Sequence, residues 1–185
     1  ELDFASRIFD GINDHVNLGD ALGDVFHGTG AKWTISTWVK ANDLDDDLIL
    51  SRWNYGLAKR EFFFRVTTTG ELAVSLSSDG TISNRWGRKT GTGVITQSSW
   101  HHISVTYDQS ATGNYLSIWV DGNEQTLNAY KVDGSFSSIY NGGSDFYISG
   151  LPTDSATMWE GNVADLRVYD TVISDVAILN LSQGI

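Results

Sequence analysis

The chain has 185 residues, enough for one domain with a sizeable core, and 41% of them are hydrophobic. Its net charge of −11 argues against nucleic acid and anionic membrane as partners, because both are bound through basic surface. There is no cysteine, so disulfides give no indication of compartment, and no run approaches the roughly 20 apolar residues of a membrane span.

Taken in order, Leu2-Asp3-Phe4 reads as a short edge strand. Phe9, Val16 and Leu18 then flank a polar turn of Asp10, Gly11, Asn13 and Asp14, and Gly19–Gly30 reads as loop. Trp33–Ala41 alternates Trp33, Ile35, Thr37 and Val39 against Thr34, Ser36, Trp38 and Lys40. A Trp on each face predicts a strand covered on both sides. Asn42–Asp47 is an acidic turn, Leu48–Trp53 a buried strand and Trp53–Lys59 the next loop. Arg60–Val66 and Glu71–Ser77 alternate and form a hairpin about Thr67–Gly70.

Ser83–Gly93 reads as a long surface loop, with Arg85, Arg88 and Lys89 around Trp86. Trp100–Asp108 and Tyr115–Val120 alternate with period 2 and predict an antiparallel hairpin, turned again at Asp121-Gly122. Gln125–Ser144 is polar and rich in Gly and Ser. Asp145–Gly150 is a strand with Phe146 and Ile148 on one face, and Leu151–Glu160 is loop. Asn162–Tyr169 is a closing strand with Ala164, Leu166 and Val168 inward. Ser174 caps a short helix, Asp175–Leu181. Many short strands and no long helix give an all-β sandwich of one domain.

Four segments carry a resemblance. They are Phe9-Asp10-Gly11-Ile12-Asn13-Asp14-His15-Val16, Trp33–Lys40, the hairpin Trp100–Gly122 and Gly161–Asp170 followed by Ile173-Ser174-Asp175. In this order they resemble laminin G-like domains of the concanavalin A-like lectin/glucanase superfamily. The resemblance implies a jelly-roll β-sandwich of two antiparallel sheets with a short C-terminal helix, spanning 1–185. The first motif starts so near Glu1 that a module excised from a larger extracellular protein is expected.

Glycosidases of this fold place two carboxylates at alternate positions of one strand, close enough for an acid and a nucleophile. Glu61, Glu71 and Glu124 have no such partner, and Glu160 and Asp165 are oddly spaced. The Tyr130-Lys131 pair echoes a lyase motif whose Gln-Ile-His partner is missing. There is no Gly-x-Ser-x-Gly elbow and no phosphate loop. An enzyme is not expected.

A sugar offers a flat C–H face to an aromatic ring and hydroxyls to polar side chains. Loop aromatics with such neighbours are Trp86 with Arg85 and Arg88, Trp53 with Arg52, Asn54 and Tyr55, and Tyr140 and Trp159. Trp86 ranks first, and its arginines point to an anionic glycan. The resemblance also implies a structural calcium, held by Asp10, Asn13 and Asp165 with nearby carbonyls. The expectation is a non-catalytic, secreted or cell-surface carbohydrate-binding module. A protein-binding or adhesion domain is the alternative, and a divergent glycan-cleaving enzyme the second alternative.

Overall fold

The computed structural model describes residues 5–54, 57–111, 113, 115–132, 136–151 and 157–185. In chain order the elements are β1 (Ser6–Asp10), β2 (Val16–Asn17), α1 (Gly23–Phe26), β3 (Lys32–Ala41), β4 (Asp47–Asn54), β5 (Lys59–Val66), β6 (Leu72–Ser77) and β7 (Arg85–Lys89). They continue with β8 (Trp100–Asp108), β9 (Leu116–Val120), β10 (Asn123–Glu124), β11 (Asn128–Val132), β12 (Tyr147–Ile148), β13 (Glu160–Tyr169) and α2 (Asp175–Ser182). Two antiparallel sheets result, one ordered β1-β13-β3-β8-β9-β10 and the other β11-β7-β6-β5-β4-β12-β2. This is the expected all-β jelly-roll sandwich. The edge strand expected at Leu2-Asp3-Phe4 lies outside the described residues.

The core forms where the period-2 patterns face each other. Trp33, Ile35 and Val39 of β3 and Ile103, Val105 and Tyr107 of β8 meet Phe62, Phe64, Val66, Leu72, Val74 and Leu76 of the other sheet. Trp33 stacks on Tyr107 at 5.3 Å between centroids and packs against Phe62 and Phe64. Each such buried side chain contributes about 2 kcal/mol from its apolar area. The β8–β9 hairpin pairs antiparallel, Ile103 opposite Val120 and Tyr107 opposite Leu116.

The outer face of β3 is covered by the C-terminal segment. Thr34 Oγ1 donates to the Thr171 carbonyl at 2.8 Å, and Ile178 of α2 is fully buried. Ser174 Oγ accepts the Ala177 N–H and caps the helix as expected.

The sequence misplaces three features and gives no sign of a fourth, β11. Ser83–Gly93 is not one loop, because Arg85–Lys89 forms β7 between β6 and β11. Its charges mask an alternation that sends Trp86 into the core. Gly19–Gly30 contains α1, whose Phe26 is fully buried against Trp33, Phe62 and Phe146. Gln125–Ser144 contributes β11. In β13 the register shifts between Ala164 and Arg167, with Asp165 at φ +49°. That bulge reverses the parity, so Val163 rather than Ala164 joins the core cluster.

Candidate functional site

One end of the sandwich is organised by a buried carboxylate. Glu61 on β5 accepts Arg52 Nε at 2.6 Å and His27 Nε2 at 3.0 Å through Oε2. Its Oε1 accepts the backbone N–H groups of Gly142 and Ser144 at 3.1 and 2.9 Å. Arg52 reaches on to Asp20 Oδ1 at 2.5 Å and to the Ala21 carbonyl, and its guanidinium lies over the Phe26 ring. Burial alone would raise the Glu61 pKa, but the hydrogen bonds from His27, Arg52 and Ser144 hold it below the ordinary value. The Arg52 bond and charge likewise hold Asp20 low. The network ties three separate stretches together: the α1 loop, the β4–β5 pair and residues 141–145.

Residues 141–145 are pinned on every side. Tyr140 N–H bonds to the Ser77 carbonyl, Phe146 N–H to the Gly19 carbonyl and Ser144 Oγ to the Lys59 carbonyl. Gly142 is needed for fit. A Cβ there would come within 2.9 Å of the Tyr140 ring and 3.2 Å of Lys59 Cα.

Two pockets flank this loop. The first, of about 300 Å³, is lined by Asp20, Leu22, Gly23, Asp24 and Asn141. The second, of about 170 Å³, is lined by Trp53, Asn54, Leu57, Lys59, Gly143, Ser144, Asp145 and Tyr147. The two come close at Gly143 of the second pocket, where a Cβ would lie 3.8 Å from Oδ2 of Asp20, which lines the first. In the second pocket Asp145 Oδ2 accepts Asn17 Nδ2 at 3.0 Å and the Tyr147 hydroxyl at 3.2 Å, and His15 meets Tyr147 edge-on. Burial, then the Asp145 charge, raises the Tyr147 pKa, so its hydroxyl stays protonated. Leu57 is 64% exposed at the rim. A half-buried ring, an exposed apolar side chain, a carboxamide, a carboxylate and an ammonium thus share one concavity.

The site residues read from sequence divide sharply. Trp53 and Asn54 line the second pocket, though Trp53 is buried and packs edge-on against Phe63. Tyr55 lies outside the described residues. Arg52 is fully buried and holds Glu61 and Asp20, so it supports the site and does not face it. Tyr140 is half-buried under the same loop. Trp159, expected in a loop, is buried in the core.

Trp86 is a correction. It is only 6% exposed, stacks on Phe136 at 5.6 Å and meets Tyr115 edge-on, so it offers no open ring. Arg88 lies over the Trp86 ring at 4.2 Å, and Arg85 Nε donates to the Ile82 carbonyl. Neither arginine lines either pocket. The residues missed from sequence are Asp20, Asp24, Lys59, Asp145 and Tyr147, whereas Asn141, next to Tyr140 in a rim the sequence offers, lines the first pocket. For Tyr147 a signal existed, since Phe146 inward forces its neighbour outward.

The residues expected to hold calcium are not brought together. Asp10 Oδ1 is occupied by the N–H groups of Ile12, Asn13 and Asp14, which lowers its pKa. Opposite Asp10 on β13 stands Glu160, not Asp165. Asp165 is five residues further along, roughly 16 Å at strand rise, and pairs with Arg167 at 2.9 Å. Among the described residues no three His, Asp or Glu side chains are grouped to hold a metal ion.

Fold and site together define a lectin-like β-sandwich with loop-end pockets. The family model of the concanavalin A-like lectin/glucanases superfamily matches residues 10–178, and the chain belongs to that superfamily, among its laminin G-like domains. No curated protein sequence matches it. Among solved structures it resembles the carbohydrate-binding module (CBM40) of the Ruminococcus gnavus IT-sialidase bound to α2,3-sialyllactose, with TM-score 0.64, 14% identity, and 96% of this chain and 97% of that one covered. It also resembles a heptameric pentraxin of Limulus polyphemus, with TM-score 0.63, 14% identity, and 98% and 84% coverage. A third is the NanB sialidase of Streptococcus pneumoniae, with TM-score 0.65 and 16% identity, where 94% of this chain covers only 27% of the enzyme.

Proposed function

We propose that the protein is a non-catalytic carbohydrate-binding module that reads glycan at the loop end around residues 141–145. The observation that carries this reading is the second pocket. There the Tyr147 ring and Leu57 offer an apolar surface to a sugar C–H face, while Asn54, Lys59 and Asp145 stand where hydroxyls would be. The similarity to a sialidase's carbohydrate-binding module supports it. Glu61 and Glu71, which a hydrolase would keep open, are instead engaged with Arg52 and Lys89. The module would tether a larger secreted or cell-surface protein to glycan. No helix among the described residues is long and apolar enough to cross a membrane.

Asp10, Asn13 and Asp165 stand apart and line neither loop-end pocket together, so this reading gives calcium no place in the glycan site. An unchanged melting temperature and unchanged binding between calcium and chelator are the expected results. The reading itself is tested by a glycan and polysaccharide screen of the wild type and Tyr147→Ala. Binding that weakens in the variant at unchanged melting temperature supports it. No binding to any glycan overturns it in favour of a protein partner.

A further inference from the structure

The two pockets differ in chemistry, and the difference names a ligand class. Asp20 and Asp24 face the first pocket beside the Asn141 carboxamide. Asp20 Oδ1 is taken by Arg52, but its Oδ2 accepts no hydrogen bond from the described residues, and the Asp24 and Asn141 side chains have no such bonds either. Of the cations that act on Asp20, Arg52 is fully buried and already divided between Glu61 and Asp20, while Lys59 belongs to the lining of the second pocket. The second pocket is lined by a single ammonium, that of Lys59, and one carboxylate, Asp145. Three carboxylates therefore line the pair of pockets against one lysine, on a chain of net charge −11.

Carboxylates and carboxamides accept hydrogen bonds from hydroxyls, and the carboxylates repel a sugar acid. Gly143 of the second pocket approaches Asp20 of the first and has no side chain to stand between them. Resting on the carbohydrate reading above, we infer that the site takes a neutral oligosaccharide of at least two units. One ring lies against Tyr147 and Leu57, the chain crosses Gly143, and the hydroxyls of the next ring donate to Asp20 Oδ2, Asp24 and Asn141. This is the opposite charge preference from that of the arginines around Trp86, which lie elsewhere.

The test is calorimetry with cello-, xylo- and β-1,4-galacto-oligosaccharides and with oligogalacturonates, each from one to about six units. The expected result is that a neutral series binds, that two or more units bind about tenfold tighter than one, and that oligogalacturonates bind more weakly. Asp24→Ala/Asn141→Ala, both at exposed positions, should abolish the gain from length, so that two or more units bind no tighter than one. Equal affinity for one and several units, or a length gain untouched by the double variant, overturns the two-pocket inference and leaves the module intact. Tighter binding of the uronates overturns the neutral class. Failure of every series, lost equally in wild type and variant, overturns the carbohydrate reading and this inference with it.

Discussion

The carboxylate of Glu61 accepts the N–H of Ser144 at 2.9 Å across 83 residues of chain. A strand in the rigid middle of a sheet thereby holds a glycine-rich loop at its rim. Glu61→Gln keeps a carbonyl acceptor but leaves the buried Arg52 guanidinium short of its counter-charge. We expect a loss of about 3 kcal/mol in urea unfolding at neutral pH. The folded pKa of Glu61 is depressed, so its stabilisation is present above the ordinary carboxylate value and is lost as pH falls through the lower folded one. The gap between wild type and variant should accordingly narrow on acidification.

Tyr147→Ala should weaken glycan binding by about 1 kcal/mol, or about fivefold, with little change in melting temperature, because its ring is only half-buried at the rim. Tyr147→Phe should retain most of the affinity, since the hydroxyl serves Asp145 and the ring serves the sugar. Isothermal titration with the best glycan of the screen separates the two.

Trp86→Ala should behave in the reverse way. Removing a ring that Phe136, Tyr115 and Arg88 enclose leaves a large cavity, at a cost of about 3–5 kcal/mol. Binding, corrected for the unfolded fraction, should not change. A variant that folds as well as wild type but binds nothing would restore Trp86 to the site.

Asp47 gives a pH signature of opposite sign to Glu61. It is 6% exposed; burial first, and then the charges of Asp43, Asp45 and Glu160, raise its pKa to about 6 despite the Glu160 N–H on its Oδ2. A raised carboxyl favours the folded state when protonated, so its contribution worsens as pH climbs from about 4 to 6. Asp47→Asn keeps an acceptor for the Glu160 N–H and removes the charge. Relative to wild type it should gain on the order of 2 kcal/mol between pH 4 and pH 7, read from paired thermal melts. A gap that does not move with pH rules out this titration.

The strands were legible because their alternation is local. Trp33–Ala41 and Trp100–Val120 state in sequence which side chains face the core, and they do so in the structure. Strand β7 was hidden because Arg85, Arg88 and Lys89 look like surface while Trp86 supplies the inward contact. The parity of β13 was misread because a bulge at Asp165 is a backbone event with no pattern of its own. The candidate site was legible at Trp53 and Asn54 and in the polar, glycine-bearing stretch after Tyr140, whose Asn141 and Gly143 line the pockets. Its other walls come from the α1 loop and from the rest of residues 141–147, and only the hydrogen bonds to Glu61, formed across the fold, bring these together.

That arrangement divides the labour between holding and reading. Gly142 and Ser144 are gripped through their backbone N–H groups, with the Ser144 hydroxyl on the Lys59 carbonyl as a second hold. The neighbours that face the pockets, Asn141 and Asp145, are therefore exchangeable without unmaking the grip. The loop also stands ready before any sugar arrives, so little ordering entropy is lost on binding. Such an end is a chassis that can be retuned to new glycans one residue at a time.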